Sequence, residues 1–447
     1  MQSISTLELG TEKINKLLRK YSIPSIIAMT AASLYNITDS IFIGHGVGAM
    51  AISGLAISFP LMNLSVAFGS LAGLGGATLL SIRMGQKDYD SAKLILGNIL
   101  VLTVIIGILF SVITLLFLDP ILYFFGASEE TIIYARDFMK IILLGNVLTN
   151  LYVGFNMTLR SLGNPRMAMI SIIGTVLINM ALNPLFIFVF KLGIRGSAMA
   201  TVISQAIMFI WQLRFFCNRK NLIYIEKSIF SLKRRIVTEM LSIGLSPFFI
   251  NTASCMIVIA INYGLMKYGG NYAVGAYGIV NRMSYLFFMI VFGLNQGMQP
   301  IVGYNYGAKQ YGRTIETLKK TIFLATLALI FGFIVVELFP RTVASIFTTE
   351  ETFINDAVVG LRLVFLTFPI IGVQVVITNF FQSIGKSKIS IFLSLTRQLI
   401  FFLPLLLILP KFYGIYGVWY SFPISDSISL IIASTMLFFQ LKKLKNE

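Results

Sequence analysis

The chain of 447 residues has two cysteines and one histidine, and only 12% of its residues are charged. Two cysteines exclude a disulfide framework, and Cys217 and Cys255 are read as packing residues. His45, expected in a short loop after the first apolar run, has no companions, whereas zinc sites need ligand clusters. No catalytic residue, metal or cofactor is therefore expected. The same scarcity argues against a membrane-embedded transferase, which needs clustered His or Asp at one membrane face. Acidic residues are the rarest charges, 18 against 35 Lys and Arg, giving a net +17. Hydrophobic residues, by contrast, make up 57% of the chain and the mean hydropathy is +0.85. Such a chain cannot cover itself with a polar surface in water, so its solvent is a lipid bilayer.

Apolar runs long enough to cross about 30 Å of hydrocarbon as helices are expected near 22–43, 51–80, 95–118, 134–160, 167–190 and 196–217, then near 238–266, 275–303, 318–339, 356–383, 389–410 and 414–440. The fold class is thus an all-α membrane protein with twelve transmembrane helices. The basic residues do not form the continuous stripe that nucleic acid would need; they fall in alternate loops. Lys13, Lys16, Arg19 and Lys20, then Arg83, Lys87 and Lys93, and later Lys442, Lys443 and Lys445 lie on one side, which by the positive-inside rule puts both termini in the cytoplasm. The segment GTEKINKLLRKYS before Pro24 reads as a short amphipathic helix on the inner surface, with no signal-peptide cleavage site following a short apolar core. The polar run 218–236 is the only sizeable linker. It divides an N-terminal lobe (1–217) from a C-terminal lobe (237–447).

The second half echoes the first at an offset of about 222 residues. Gly85, Lys87 and Tyr89 return as Gly307, Lys309 and Tyr311; SLGNP (161–165) returns as SIGKS (383–387); KLGIRG (191–196) returns as FYGIYG (412–417). Each echo falls at an equivalent boundary between apolar runs. Two pseudo-symmetric six-helix lobes follow, with prolines partly in register, as at Pro24 and Pro247, suiting lobes that rock.

An ionisable group inside a bilayer costs about 2.5–3.5 kcal/mol on insertion scales, so each needs a reason. Asp39 lies in the first span, Arg282 in the eighth, Arg397 in the eleventh and Asp426 in the twelfth. Arg397 and Asp426 read as structural partners within the second half. Asp39 has no basic residue in the central part of its own half's spans to pair with and reads as functional; its counterpart in the repeat, Asn262, cannot titrate. Asn179 and Asn183, four apart, share a helix face. Pro184 loosens the helix beside them, because it donates no backbone hydrogen bond and clashes with the carbonyl of Met180. Two phosphate-loop decoys fail. GSLAGLGGAT (69–78) lies inside a span with no strand before it, and Gly385-Lys386-Ser387 has Phe380 where the first glycine is required.

These residues resemble the bacterial branch of the multidrug and toxic compound extrusion (MATE) transporters. The resemblance rests on LYNITDSIFIGHGVGAMAISGLAISFP (34–60), LRSLGNPR (159–166), NxxxNP (179–184) and GMQPIVGYNYGAKQ (297–310); the last, with SLTRQLIFFLP (394–404) and FPISD (422–426), is similar to the DinF and MepA type. It implies an exporter of amphipathic, often cationic small molecules in the bacterial cytoplasmic membrane. The exporter would open alternately inward and outward, coupled to proton or sodium entry, and work as a monomer without nucleic acid. It also implies a cation site in the N-terminal lobe at Tyr35, Asp39, Asn179, Asn183 and Thr201, with Asn156 a further position. Members of this branch often carry an aspartate where this chain has Asn183, which leaves at most a weak sodium site at Asp39, Asn179 and Asn183 and favours the proton. The expected cycle has Asp39 taking a proton from outside and releasing it inward, drug and proton excluding one another. A lipid-linked oligosaccharide flippase of the same superfamily is the alternative. It needs a more cationic cavity, for which Arg282 and Arg397 are the candidates.

Overall fold

Chains that must satisfy every backbone amide without water form helices or closed barrels, and here the spans are helices. The computed structural model describes residues 8–347 and 350–446. Among the described residues eleven helices are long and apolar enough to cross a bilayer. They are α1 (Ile14–Gly46), α2 (Met50–Gly85), α3 (Tyr89–Leu116), α4 (Ile132–Ser161), α5 (Pro165–Val189), α6 (Ile194–Phe216), α7 (Arg234–Gly270), α8 (Tyr272–Gly307), α9 (Tyr311–Leu338), α11 (Ser387–Tyr413) and α12 (Ile415–Lys445). A twelfth, α10, is a pair, Glu351–Phe365 and Phe368–Ser383, bent by 52°. Apolar side chains cover the outside: Leu116 is 73% exposed, Leu144 75% and Phe412 76%. Only a hydrocarbon solvent accepts so much exposed apolar surface.

Several local expectations change. The basic stretch before Pro24 is not a separate surface helix, because Lys16, Arg19 and Lys20 form the first turns of α1 and Pro24 sits inside it. His45 lies in the last turn of α1, its Nδ1 against the Ile41 carbonyl at 3.0 Å, and not in a loop. Cys217 is exposed, so it is no packing residue. The loosening expected at Pro184 takes a definite form: the α-helix ends there and continues as a π-helical turn, Leu185–Val189. Its partner in the second half, α11, carries the π-helical segment Thr396–Phe402 just before Pro404.

Two compact units make up the chain. The first holds Ile27–Asn251 with short pieces from the start of the chain and from Gly303–Lys309; the second holds Lys13–Ile26, Thr252–Val302 and Gln310 onward. Helices α1 and α7 thus each pass from one unit to the other, three to five residues after Pro24 and Pro247. In the first unit α4 packs against α2, α3 and α6, and α5 against α6. In the second, α10 packs against α9 and α12, and α11 against α12, matching α4 on α3 and α6 and α5 on α6 six helices earlier.

The sequence echoes mark backbone geometry that a duplicated fold must repeat. Lys87 and Lys309 both have positive φ, 60° and 58°, as do Gly163 and Gly385 (86° and 75°) and Gly193 and Gly414 (58° and 55°). Left-handed backbone favours glycine and costs an ordinary residue about 1 kcal/mol, a cost that both copies carry at the lysine pair and avoid at the two glycine pairs. A second pair shows close approach. A Cβ on Gly85 would strike the backbone carbonyl of Tyr304, and one on Gly307 the carbonyl of Ile82. The two clashes are one contact seen from either repeat, and it lies within the first unit. Gly85→Ala and Gly307→Ala should each lower the thermal midpoint by several degrees, equivalent to about 2 kcal/mol of overpacking, when unfolding is followed by size-exclusion chromatography after heating. Gly312→Ala, whose Cβ meets nothing within 4 Å, should leave it in place.

Candidate functional site

Three helices of the first unit each contribute two polar side chains four residues apart, hence one turn apart on one face. Helix α1 gives Tyr35 and Asp39, α5 gives Asn179 and Asn183, and α6 gives Ser197 and Thr201. They assemble as two tiers. In the first, the Asn183 amide donates to Asp39 Oδ1, and the Ser197 hydroxyl donates to the same oxygen at 2.6 Å. In the second, Asn179 Nδ2 donates to Thr201 Oγ1 at 3.3 Å, and Thr201 shares a 2.8 Å hydrogen bond with the Tyr35 hydroxyl. Asn183 Nδ2 also donates to Asn179 Oδ1 at 3.3 Å, joining the tiers into one chain from Tyr35 to Ser197.

The cluster is largely buried, with only Tyr35 half-buried. Asn183 and Ser197 are fully buried, Asn179 is 1% exposed, and Asp39 and Thr201 are 7% exposed. Both groups donating to Asp39 are neutral, and among the described residues no Lys or Arg forms an ion pair with it. An ionised Asp39 is therefore an uncompensated charge in a dry environment, which either a proton or a bound cation would relieve. Asn183 Oδ1 is buried without a hydrogen-bond partner. Beside the carboxyl, this orphan oxygen gives a small hard cation or a hydrated proton a second acceptor. Among the described residues no group of three or more His, Cys, Asp or Glu is placed to hold a metal ion.

Of the residues singled out from the sequence, the structure brings together Tyr35, Asp39, Asn179, Asn183 and Thr201. It does not bring Asn156 to them: this buried amide on α4 donates to the Ala168 carbonyl of α5 at 2.8 Å. Ser197 went unnoticed. Its only signal was the four-residue spacing to Thr201, since one serine in the small-residue run GSAMA otherwise reads as helix packing. The charges of the second half form a pair, Arg397 Nε donating to Asp426 Oδ1 at 2.8 Å, while Arg282 is exposed.

Comparison with known proteins gives one family. The MatE family model matches residues 24–185 and again 247–408, the two halves of the duplication. The multidrug export protein MepA of Staphylococcus haemolyticus is 27% identical over 95% of this chain and 93% of its own length; the MepA of Staphylococcus aureus strain N315 is 24% identical over the same shares. Among solved structures, the MATE multidrug transporter DinF-BH, seen in a ligand complex, is 37% identical, covering 96% of each chain at a TM-score of 0.89. A MATE crystal structure in the bent conformation, 22% identical, agrees in fold at a TM-score of 0.93 over 99% of this chain and 98% of its own.

The tier geometry makes a spectroscopic prediction. In difference infrared spectra the protonated carboxyl band that disappears in Asp39→Asn should move to higher wavenumber in Ser197→Ala, which removes one hydrogen bond to Oδ1. It should stay in place in Asn156→Ala, where the expected change is a loss of about 1 kcal/mol in stability.

Proposed function

Because this chain belongs to the MatE family, whose multidrug efflux members are multi-pass membrane transporters, we propose that it is a proton-coupled antiporter. It would export amphipathic, often cationic drugs or toxic metabolites across the bacterial cytoplasmic membrane by alternating access. Both termini would lie in the cytoplasm, and lobes 1–217 and 237–447, joined by the linker 218–236, would rock as a monomer. One observation supports the coupling role: Asp39 is 7% exposed and held by neutral donors alone.

The chemistry follows from that isolation. Neutral Asp39 is the comfortable state of a closed, dry lobe. Ionised Asp39 is stable only when the lobe admits water, a cation or a cationic substrate nearby. Both existing hydrogen bonds fall on Oδ1, so a proton on Oδ2 leaves them intact. Asn183 and Ser197 position the carboxyl, and Asn179, Thr201 and Tyr35 hold Asn183 in register. A second carboxylate at position 183 would favour sodium; an amide supplies an oxygen without the charge, which favours the proton. One proton in for one monovalent cation out is electroneutral and driven by the pH gradient alone, whereas each further net charge adds about 2.3 kcal/mol per 100 mV.

The test is efflux of a cationic rhodamine dye, a flat amphipathic probe, from proteoliposomes with proton and sodium gradients imposed separately. A proton gradient should drive efflux by the wild type, a sodium gradient should add little, and Asp39→Asn should lose at least about 90% of the proton-driven rate. Equal rates for wild type and variant under both gradients would refute the assignment. No dye movement under either gradient would favour the flippase alternative.

A further inference from the structure

The second unit holds a charge pair for which the coupling site has no use. Arg397 lies in the π-helical segment of α11, and its Nε donates to Asp426 Oδ1 on α12 at 2.8 Å. At the bend of α10, the Thr367 hydroxyl donates to the other oxygen, Oδ2, at 3.2 Å. The Ser425 hydroxyl donates to the Arg397 carbonyl at 2.8 Å. Three helices thus fix the pair, with both carboxylate oxygens engaged and the Asp426 side chain only 8% exposed.

The arginine is only partly engaged. Its side chain is 26% exposed, and among the described residues Nη1 and Nη2 donate no hydrogen bond. The guanidinium carbon lies 5.8 Å from the centroid of Phe288. That ring in turn packs on Phe368 at 5.4 Å and stacks on Phe292 at 6.2 Å. The result is an open planar fork beside an aromatic wall.

A purely structural pair has little reason to take this form, since a buried ion pair is often no more stabilising than apolar residues of similar volume. As a binding device it has two advantages. The empty pair is neutral overall, so it costs less in a bilayer than a lone arginine. The two free Nη groups present parallel donors spaced for one carboxylate. Asp426 beside them repels a second negative charge, which disfavours phosphates and pyrophosphates, and the phenylalanines suit a flat ring system.

We propose that Arg397, positioned by Asp426 and Thr367, is a substrate-recognition residue that takes the carboxylate of a zwitterionic or anionic aromatic amphiphile. This rests on the exporter reading and adds a substrate class to it. The site shares no residue with the tiers around Asp39, and the half-repeat explains why the first unit has no copy of it: the corresponding positions, 222 residues before Arg397 and 221 before Asp426, are Thr175 and Gln205, neither of which is charged.

The experiment uses the full-length purified chain and two probes, a rhodamine dye with a free carboxylate and its ethyl ester, with binding read by fluorescence anisotropy. Arg397→Gln alone would strand a buried carboxylate, so the informative variant is the neutral pair Arg397→Gln with Asp426→Asn. It should weaken the carboxylate dye at least about tenfold and change the ester less than about twofold; Arg397→Lys, which keeps the charge and loses the fork, should fall between wild type and the double variant for the carboxylate dye. A double variant that binds the carboxylate dye as tightly as wild type overturns the proposal. So does one that remains monodisperse yet loses both dyes equally, because a general packing role would then account for the pair. Proton-driven efflux of the ester dye by the wild type checks the exporter reading separately, so failure of one is distinguishable from failure of the other.

Discussion

A carboxyl group out of water with no cation beside it is the constraint on which the rest of this molecule depends. Asp39 is tolerable in hydrocarbon because two neutral donors reach one of its oxygens. Those donors stay in place because three helices each present a polar pair one turn apart. The side-chain hydrogen bonds continue from Asp39 through Asn183, Asn179 and Thr201 to Tyr35. Even the break in α5 fits this scheme: Pro184 follows Asn183 directly, and the helix widens into a π turn only after both asparagines have been placed.

Duplication has preserved geometry and let chemistry diverge. Left-handed turns recur at Lys87 and Lys309, at Gly163 and Gly385, and at Gly193 and Gly414, and one helix crossing uses Gly85 and Gly307 reciprocally. These positions are set by backbone sterics, which hold for either copy. The ionisable residues singled out within the spans do not recur. Asp39 corresponds to Asn262, and the Arg397 and Asp426 pair corresponds to Thr175 and Gln205. Among the described residues, the first unit thus carries in its spans an acid with no cationic partner, and the second an ion pair.

Much of this was legible in the sequence. The twelve apolar runs match the eleven long apolar helices and one bent pair found among the described residues, because bilayer thickness fixes helix length. Asp39 stood out because charge is rare in spans, and the asparagines stood out through their four-residue spacing beside a proline. Helix ends were less legible: α1 begins at Ile14 rather than near 22, since its basic first turns fail any hydropathy test while still forming helix. The bend in α10 at Leu366–Thr367 was hidden inside one apolar run, with Pro369 its only local sign. Ser197 escaped for a related reason, because a hydroxyl in a run of small residues carries no signal until a partner helix is placed against it. Asn156 illustrates the converse: a polar residue in a span drew attention, and its amide closes on a backbone carbonyl away from the tiers.

The most direct test of the central claim is proton release on substrate binding, measured in lightly buffered solution as a cationic rhodamine dye is added to the purified chain. The account predicts that wild-type protein releases a proton as the dye binds and that Asp39→Asn binds dye with no release. Equal release by both proteins would contradict it, because the titrating group would then lie elsewhere.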